Sequence, residues 1–449
     1  MKKLLVLLAL VTGAWASGGE SLIYTWVGVA SLVIFIVGYY IIATEEKYSI
    51  NKAKPALFIG TFIFMLIGAY YSMHNMDTKP LEHAVESLIL EIAEIYFFLL
   101  VAMTYIETLI DRNVFNALKY KLVSKGYSYK KLFWLTGVLA FFISPIADNL
   151  TTALILSTVL ITIEKTNKEF LIPGAINIVV AANAGGAWSP FGDITTLMAW
   201  TAEKGGFFDF FYLFTPSVTG WLVTGLLLSL FVPDGKPHFD AENEVREKVF
   251  HGGKMVMVLG VLTIASAVLS HQVLHLPAMW GMIFGLSLLK LYAFQLKKIH
   301  GTHVNIFESI SKIEHDTLLF FFGILAAVGG LHFLGFLDVA AKLYDTAGPT
   351  AVNIGVGFLS AIVDNVPVMS AVLKSNPTMG MDQWLLVTLT AGIGGSLISF
   401  GSAAGVGVMG KLRGIYTFSA HMKYSWTILV GYVLSLMVWY VQFEVFGLY

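Results

Sequence analysis

Long apolar segments, each about the length of a membrane crossing, follow one another along this chain and are separated by short charged loops. About 20 apolar residues let a helix cross a hydrocarbon core of about 30 Å. On that measure the pattern predicts crossing helices near 21–43, 55–74, 91–111, 170–200, 207–231, 254–274, 278–297, 316–338, 383–410 and 424–445. Two further apolar segments, 131–163 and 350–373, break the pattern. The first runs for 33 residues, which as one helix would be about 50 Å long. Its middle reads "SPIADNLTT", and proline cannot donate to a helix ladder. Two short arms meeting at "SPIADN", Ser144 to Asn149, fit better than one long helix, which makes the segment a re-entrant hairpin. "SAIVDN", Ser360 to Asn365, repeats the device in the second segment.

The basic residues test this layout. The chain opens with "MKK", a short apolar core and "AWA" ending at Ala16, followed by polar "SGGE". That is the form of a signal peptide, and it puts the mature N-terminus outside the cytoplasm. With both hairpins re-entrant, 22 lysines and arginines then fall in cytoplasmic loops, against four outside: Lys79, Lys204, Lys342 and Lys374. The positive-inside rule asks for such a bias. Were 131–163 a simple crossing, everything after it would invert and the bias would collapse.

Arranged this way, the chain is a duplication. "SPIADN" pairs with "SAIVDN", "AMTYIETL" (102–109) with "AVGGLHFL" (327–334), and "GGAWSPFG" (185–192) with "GGSLISFG" (394–401). Each copy has an odd number of crossings, so the second enters the membrane upside down. Inverted repeats with interrupted helices are an architecture of secondary transporters. The expected organisation is a signal peptide at 1–16, a first repeat at 17–231, a cytoplasmic linker at 232–253 and a second repeat at 254–449. The fold class is an all-α polytopic membrane protein. Composition agrees: 57% of the 449 residues are hydrophobic and 13% are charged, against about 25% charged in soluble domains. No cysteine is present, which excludes disulfides and thiolate metal sites.

Polar residues inside such a chain are costly, and an intramembrane carboxylate marks a functional site. Asp148, Asp193 and Asp364 are the leading candidates, and Asn149, Asn183, Thr195, Thr196, Ser360, Asn365, Ser399 and Ser402 surround them in the hairpins and the two glycine-rich breaks. Unwound backbone at membrane depth is tolerated only where it is buried or lines a cavity. The set is rich in hard oxygens and holds no lysine or arginine, which suits a small hard cation rather than an anion. We therefore expect Na+ at Asp148, Asn149, Asn183, Asp193 and Asn365, alternating with protons, and no cofactor. Glu94 and Glu107 are candidate proton relays, although both are placed near the ends of their helix, where they could simply reach interfacial water. His74, His271, His275, His303 and His315 fall at predicted ends or loops and read as interfacial residues.

"SPIADNLTTALIL", "NAGGAWSPFGDITTLMAW", "SAIVDNVPVMSAVL" and "GSLISFGSAAGVGVMG" together resemble the NhaD-type sodium/proton antiporters of the ion transporter superfamily. The likeness covers the chain from roughly residue 85 onward. It implies extrusion of Na+ or Li+ driven by inward proton flow across a bacterial inner membrane, and a scaffold often found as a homodimer. It carries functional roles onto Asp148, Asn149, Asn183, Asp193, Thr195, Thr196, Asn365 and Ser399. Both tips read Asp-Asn here, where the dicarboxylate branch reads Ser-Asn-Thr. Three alternatives remain at this stage: a Na+-coupled dicarboxylate or oxyanion carrier on the same scaffold, an intramembrane aspartyl protease using two membrane aspartates, and a channel, which could not drive flux against a gradient.

Overall fold

A computed structural model describes residues 22–44, 50–237, 247–301 and 304–448. The expected signal peptide and the middle of the charged linker lie outside the described residues. Among the described residues the chain is helical, with no strand. In chain order the α-helices are α1 (Trp26–Ala43), α2 (Ala53–Met73), α3 (Lys79–Asp111), α4 (Val114–Val123), α5 (Tyr129–Ala147), α6 (Asn149–Ile163) and α7 (Lys168–Ala187). They continue as α8 (Ile194–Thr201), α9 (Phe214–Ser229), α10 (Gly253–Gln272), α11 (Ala278–His300), α12 (Ile306–Lys312), α13 (His315–Phe333) and α14 (Phe336–Ala347). The series closes with α15 (Pro349–Ile362), α16 (Asn365–Ser375), α17 (Met381–Gly394), α18 (Ala403–Lys411), α19 (Phe418–Met422) and α20 (Ser425–Tyr440). Nine helical segments among the described residues are long and apolar enough to cross a membrane. The protein is a multi-pass membrane protein.

Two compact units divide the chain. One comprises residues 1–92, 319–352 and 370–379. Its core rests on α2, where Ala56, Ile59, Ile63 and Ile67 are buried. That three-to-four-residue spacing puts them on one helical face. Lys374 and Glu91 form an ion pair of 2.6 Å in this unit.

The other unit comprises 93–318, 353–369 and 380–449 and contains every leading candidate residue. At its centre is α7, in which Phe170, Leu171 and all residues from Pro173 to Ala187 are buried. The arm α5 packs along α7, α6 packs against both α7 and α18, and α17 also lies against α7. Local chemistry explains the breaks. The chain between α7 and α8 turns at Ser189, whose hydroxyl donates to Pro145 O at 3.0 Å, and Gly192 N donates to Ser189 O at 3.0 Å. Gly185 and Gly394 occupy matching positions: a Cβ on the first would strike the Phe141 carbonyl, and on the second the Gly357 carbonyl. Ser144 Oγ donates to Ala182 O at 2.6 Å, and Ser360 Oγ donates to Ala391 O at 2.7 Å. The paired sequence motifs thus make paired contacts.

Three boundaries differ from expectation. The first hairpin does not open at Ser144-Pro145; α5 runs through Pro145 and breaks at Asp148. Proline costs the ladder one bond to Phe141 O, and that carbonyl faces Gly185, where the missing side chain lets two backbones meet. At 19 residues α5 is long enough to cross, so the first arm is not short. Helix α3 begins at Lys79 and has 33 residues, which places Glu94 in its middle rather than at an end.

Candidate functional site

Asp148 stands at the break between α5 and α6, and Asp364 at the break between α15 and α16. Each takes a positive φ, 59° and 51°; for Asp148, with ψ of 163°, this is a region natural to glycine alone. Such a conformation costs about 1–3 kcal/mol and persists where the surroundings impose it, often at functional sites. Asp148 is the N-cap of α6. Its two carboxylate oxygens accept from Thr151 N at 2.8 Å and from Thr151 Oγ1 at 2.7 Å.

Asp193 is the N-cap of α8 and the hub of the site. Aspartate is among the favoured residues at this position because its oxygen satisfies an orphan N–H of the first turn. Oδ1 accepts from Thr195 N at 2.9 Å and from Thr195 Oγ1 at 3.1 Å. Thr196 Oγ1 closes a capping box, accepting from Asp193 N at 3.2 Å and donating to Asp193 O at 2.6 Å. Oδ2 accepts from Asn149 Nδ2 at 2.6 Å, and Asn365 Nδ2 donates to Oδ2 at 3.0 Å and to Oδ1 at 3.2 Å. Asn149 and Asn365 are the residues that follow the aspartates at the two helix breaks. Both therefore donate to one carboxylate, which is 3% exposed.

A second layer is built on Asn183. Its Oδ1 accepts from Asn149 Nδ2 at 3.0 Å, and its Nδ2 donates to Ser396 Oγ and Ser402 Oγ, both at 2.8 Å. Ser402 caps α18, accepting from Gly405 N, as Asp193 caps α8. Asn365 Oδ1 and Ser399 Oγ are buried oxygens with no hydrogen-bond partner. Such groups are uncommon and call for an explanation such as an unseen ion.

The expected residues thus fall into sets. Asn149, Asn183, Asp193, Thr195, Thr196, Asn365 and Ser402 form one hydrogen-bonded network. Asp148 caps its own helix, and both it and Asp364 lie within electrostatic reach of Asp193. Ser360 ties α15 to α17 through Ala391 O. Ser399 is buried in the second break. Glu94 and Glu107 stand apart, on separate cavities. Glu107 lines a cavity of about 320 Å³ together with Thr151, Glu314 and Lys411. Glu94 lines one of about 240 Å³ with Glu203, His271 and His275.

Sequence reasoning missed two network members. Ser396 was hidden in a glycine-rich break, and His421 in a loop. His421 is fully buried; one ring nitrogen lies 2.6 Å from Tyr416 Oη and the other 3.0 Å from Ser396 O. Burial pushes its imidazole down to about 4, so the ring is neutral near pH 7. With Tyr416 donating to Nδ1 and Nε2–H donating to the carbonyl, both nitrogens are satisfied. His421 stands in a polar loop between Lys411 and Lys423, so no pattern in the sequence set it apart.

Comparison with known proteins follows the same lines. A family model described as citrate transporter matches residues 4–392. The chain is 44% identical over 448 residues to the Na+/H+ antiporter NhaD of Vibrio cholerae, covering 94% of this chain and 93% of that protein. It is 46% identical over 410 residues to the Na+/H+ antiporter NhaD of Vibrio parahaemolyticus, covering 85% and 98%. Sodium/proton antiporter 1 of Arabidopsis thaliana is 31% identical over 427 residues, covering 91% of this chain and 72% of that protein.

Proposed function

The chain belongs to the citrate transporter family and, within it, to the NhaD sodium/proton antiporters, and from that premise we propose that it exchanges Na+ or Li+ for protons at a site centred on Asp193. The observation that carries the assignment is the convergence of Asn149 and Asn365, one from each hairpin, on that single buried carboxylate. An asparagine side chain is an amide with a donor end and an acceptor end. Turned one way, each amide donates to the bare carboxylate; turned the other way, it offers an oxygen to a cation resting on the same carboxylate. Asn365 Oδ1 and Ser399 Oγ, both without a partner, are oxygens such a cation would use. Thr195 and Asn183 hold the cage in place.

Exchange follows from competition. Na+ and a proton both neutralise a buried carboxylate, and a site that must be neutral to leave its aqueous face carries one or the other. Asp148 and Asp364 add charge near Asp193, so loading involves coupled carboxylates rather than one residue. The carboxylate-carrier and protease readings have no support: the relatives above are named antiporters, and the network contains no cationic side chain to hold an anion. The protein is a carrier rather than an enzyme, resident in a bacterial inner membrane as a homodimer. Its two halves are inverted repeats with re-entrant hairpins, and its mature termini are periplasmic.

The test is recovery of a pH-sensitive dye in everted vesicles on adding Na+, Li+ or K+. Recovery with Na+ or Li+ that disappears in Asp193→Asn, at parental levels of inserted protein, is the expected result. Equal recovery in both would make Asp193 structural and defeat the assignment.

A further inference from the structure

The two asparagines that donate to Asp193 are held differently. Asn149 Oδ1 accepts from Leu150 N at 2.8 Å. A backbone N–H can only donate, so this bond fixes which end of the amide is which. Asn149 Nδ2 then donates to Asp193 Oδ2 at 2.6 Å and to Asn183 Oδ1 at 3.0 Å. Asn183 must in turn keep its oxygen toward Asn149, and its Nδ2 donates to Ser396 Oγ and Ser402 Oγ, both at 2.8 Å. Asn365 has no such chain behind it, because its Oδ1 is buried without a partner. The register of the two copies explains the difference. Ser144 on Ala182 O matches Ser360 on Ala391 O, which aligns Asn183 with Gly392. One copy backs its asparagine with an amide, and the other has no side chain there.

The chain of fixed polarity ends on His421. Its Nε2 lies 3.0 Å from Ser396 O, and Tyr416 Oη lies 2.6 Å from its Nδ1. The ring is uncharged near pH 7, so it supplies the second break with an N–H and not with a charge. We infer that His421 is a positioning residue for the exchange: it anchors Ser396, and Ser396 with Ser402 fixes the Asn183 amide, so that Asn149 donates to Asp193 whether or not Na+ is bound. Turning Asn149 would set its oxygen against Asn183 Oδ1 and strand Leu150 N. Turning Asn365 breaks no bond at its oxygen. The inference rests on Asp193 as the site and narrows the turning amide to Asn365.

A donor that stays on the carboxylate stabilises the bare and the Na+-loaded states alike, because both carry the charge, and the protonated state less. Loosening that donor leaves Na+ affinity unchanged where protons are scarce and lets protons compete at higher pH. Asp148 and Asp364, the charged groups within reach of Asp193, are unaltered in every variant that follows.

The experiment measures the Na+ KM from dye recovery in everted vesicles across pH, at matched levels of inserted protein. His421→Leu removes the N–H. It should move the acid limb of the KM profile up by about one pH unit, within the worth of a hydrogen bond to a charged group, and keep the alkaline KM within about twofold of the parent. His421→Gln restores an N–H and should superimpose on the parent. Ser396→Ala deletes an acceptor of Asn183 while leaving His421 on Ser396 O. It should shift the limb in the same direction, and it decides the question if His421→Leu fails to insert. Asn365→Ala should instead raise the KM on the alkaline side. An acid limb unmoved in either variant that inserts, a rise of equal size at every pH, or His421→Gln behaving like His421→Leu would overturn the inference. Exchange that survives Asp193→Asn would sink the site assignment. Exchange lost in Asp193→Asn, with the pH profile unmoved in Ser396→Ala and His421→Leu, would sink this inference alone.

Discussion

Replacing Asn365 with alanine is the sharpest probe of the proposed cage. In the parent its amide donates to both oxygens of Asp193, at 3.0 and 3.2 Å, and its own Oδ1 has no partner. Alanine removes a charge-assisted hydrogen bond from the empty site and an oxygen ligand from the loaded one. A hydrogen bond to a charged group contributes about 1.5–3 kcal/mol, and the ligand lost to Na+ belongs to the same range of polar interactions. The two losses offset each other, so only an excess on the loaded side counts; at about 1.4 kcal/mol per decade, an excess of about that size raises the apparent KM for Na+ roughly tenfold. Asn365 is the first residue of α16, and alanine, the best helix former, is accommodated there without loss of helix propensity. The assay is dye recovery in everted vesicles over a Na+ titration, with Vmax read at saturation. A KM within twofold of the parent would refute the reasoning: the amide would then belong to the scaffold, and Asp193 would find its cation elsewhere.

Thr196→Ala removes one half of the capping box and should lower thermal stability by about 1 kcal/mol, with the Na+ KM rising only a few fold; loss of transport would mark the hydroxyl as a direct ligand. Na+ binding measured by calorimetry should weaken about tenfold per pH unit on the acid side of the site's titration, a step worth about 1.4 kcal/mol, and pH-independent binding would exclude competition with protons. His421 is neutral in the folded protein and protonates near 6.5 when unfolded, so the unfolded state binds more protons between about pH 4 and 6.5 and stability rises with pH across that window. His421→Gln should flatten that part of the melting profile, and an unchanged slope would assign it to other groups. A tag after Tyr449 should be accessible only from outside the cytoplasm, and labelling from the cytoplasmic side would contradict the charge-based topology.

Much of this was legible before any coordinates, for physical reasons. Carboxylates flanked by helix breakers in apolar runs have few innocent explanations, so Asp148, Asp193 and their asparagine neighbours stood out. Helix boundaries were less legible where charge interrupted an apolar run. The opening of α3, "KPLEHAVESLIL", is helical but too polar for a criterion based on apolar length, and so Glu94 was placed at an end it does not occupy. Pro145 was read as the break because its missing N–H is visible in sequence, whereas the carbonyl it frees is absorbed by Gly185, a partner 40 residues away in the chain. His421 escaped for a similar reason: its role depends on Ser396 O, a backbone atom that no side-chain pattern reports.

The wide sequence spacing of the network bears on how the protein is made. Asp193 and Asn365 are 172 residues apart, and a ribosome adds roughly 5–20 residues per second. For about 10–35 s, then, a nascent chain that has already delivered Asp193 to the membrane has not yet made the second asparagine that will donate to it. During that interval the carboxylate has Asn149, its own capping threonine and water or a proton to rely on. The first half must wait in the bilayer, inserted but unfinished, until the second hairpin arrives. A chain that stops short of Asn365 would present the quality-control proteases with a carboxylate lacking one of its donors.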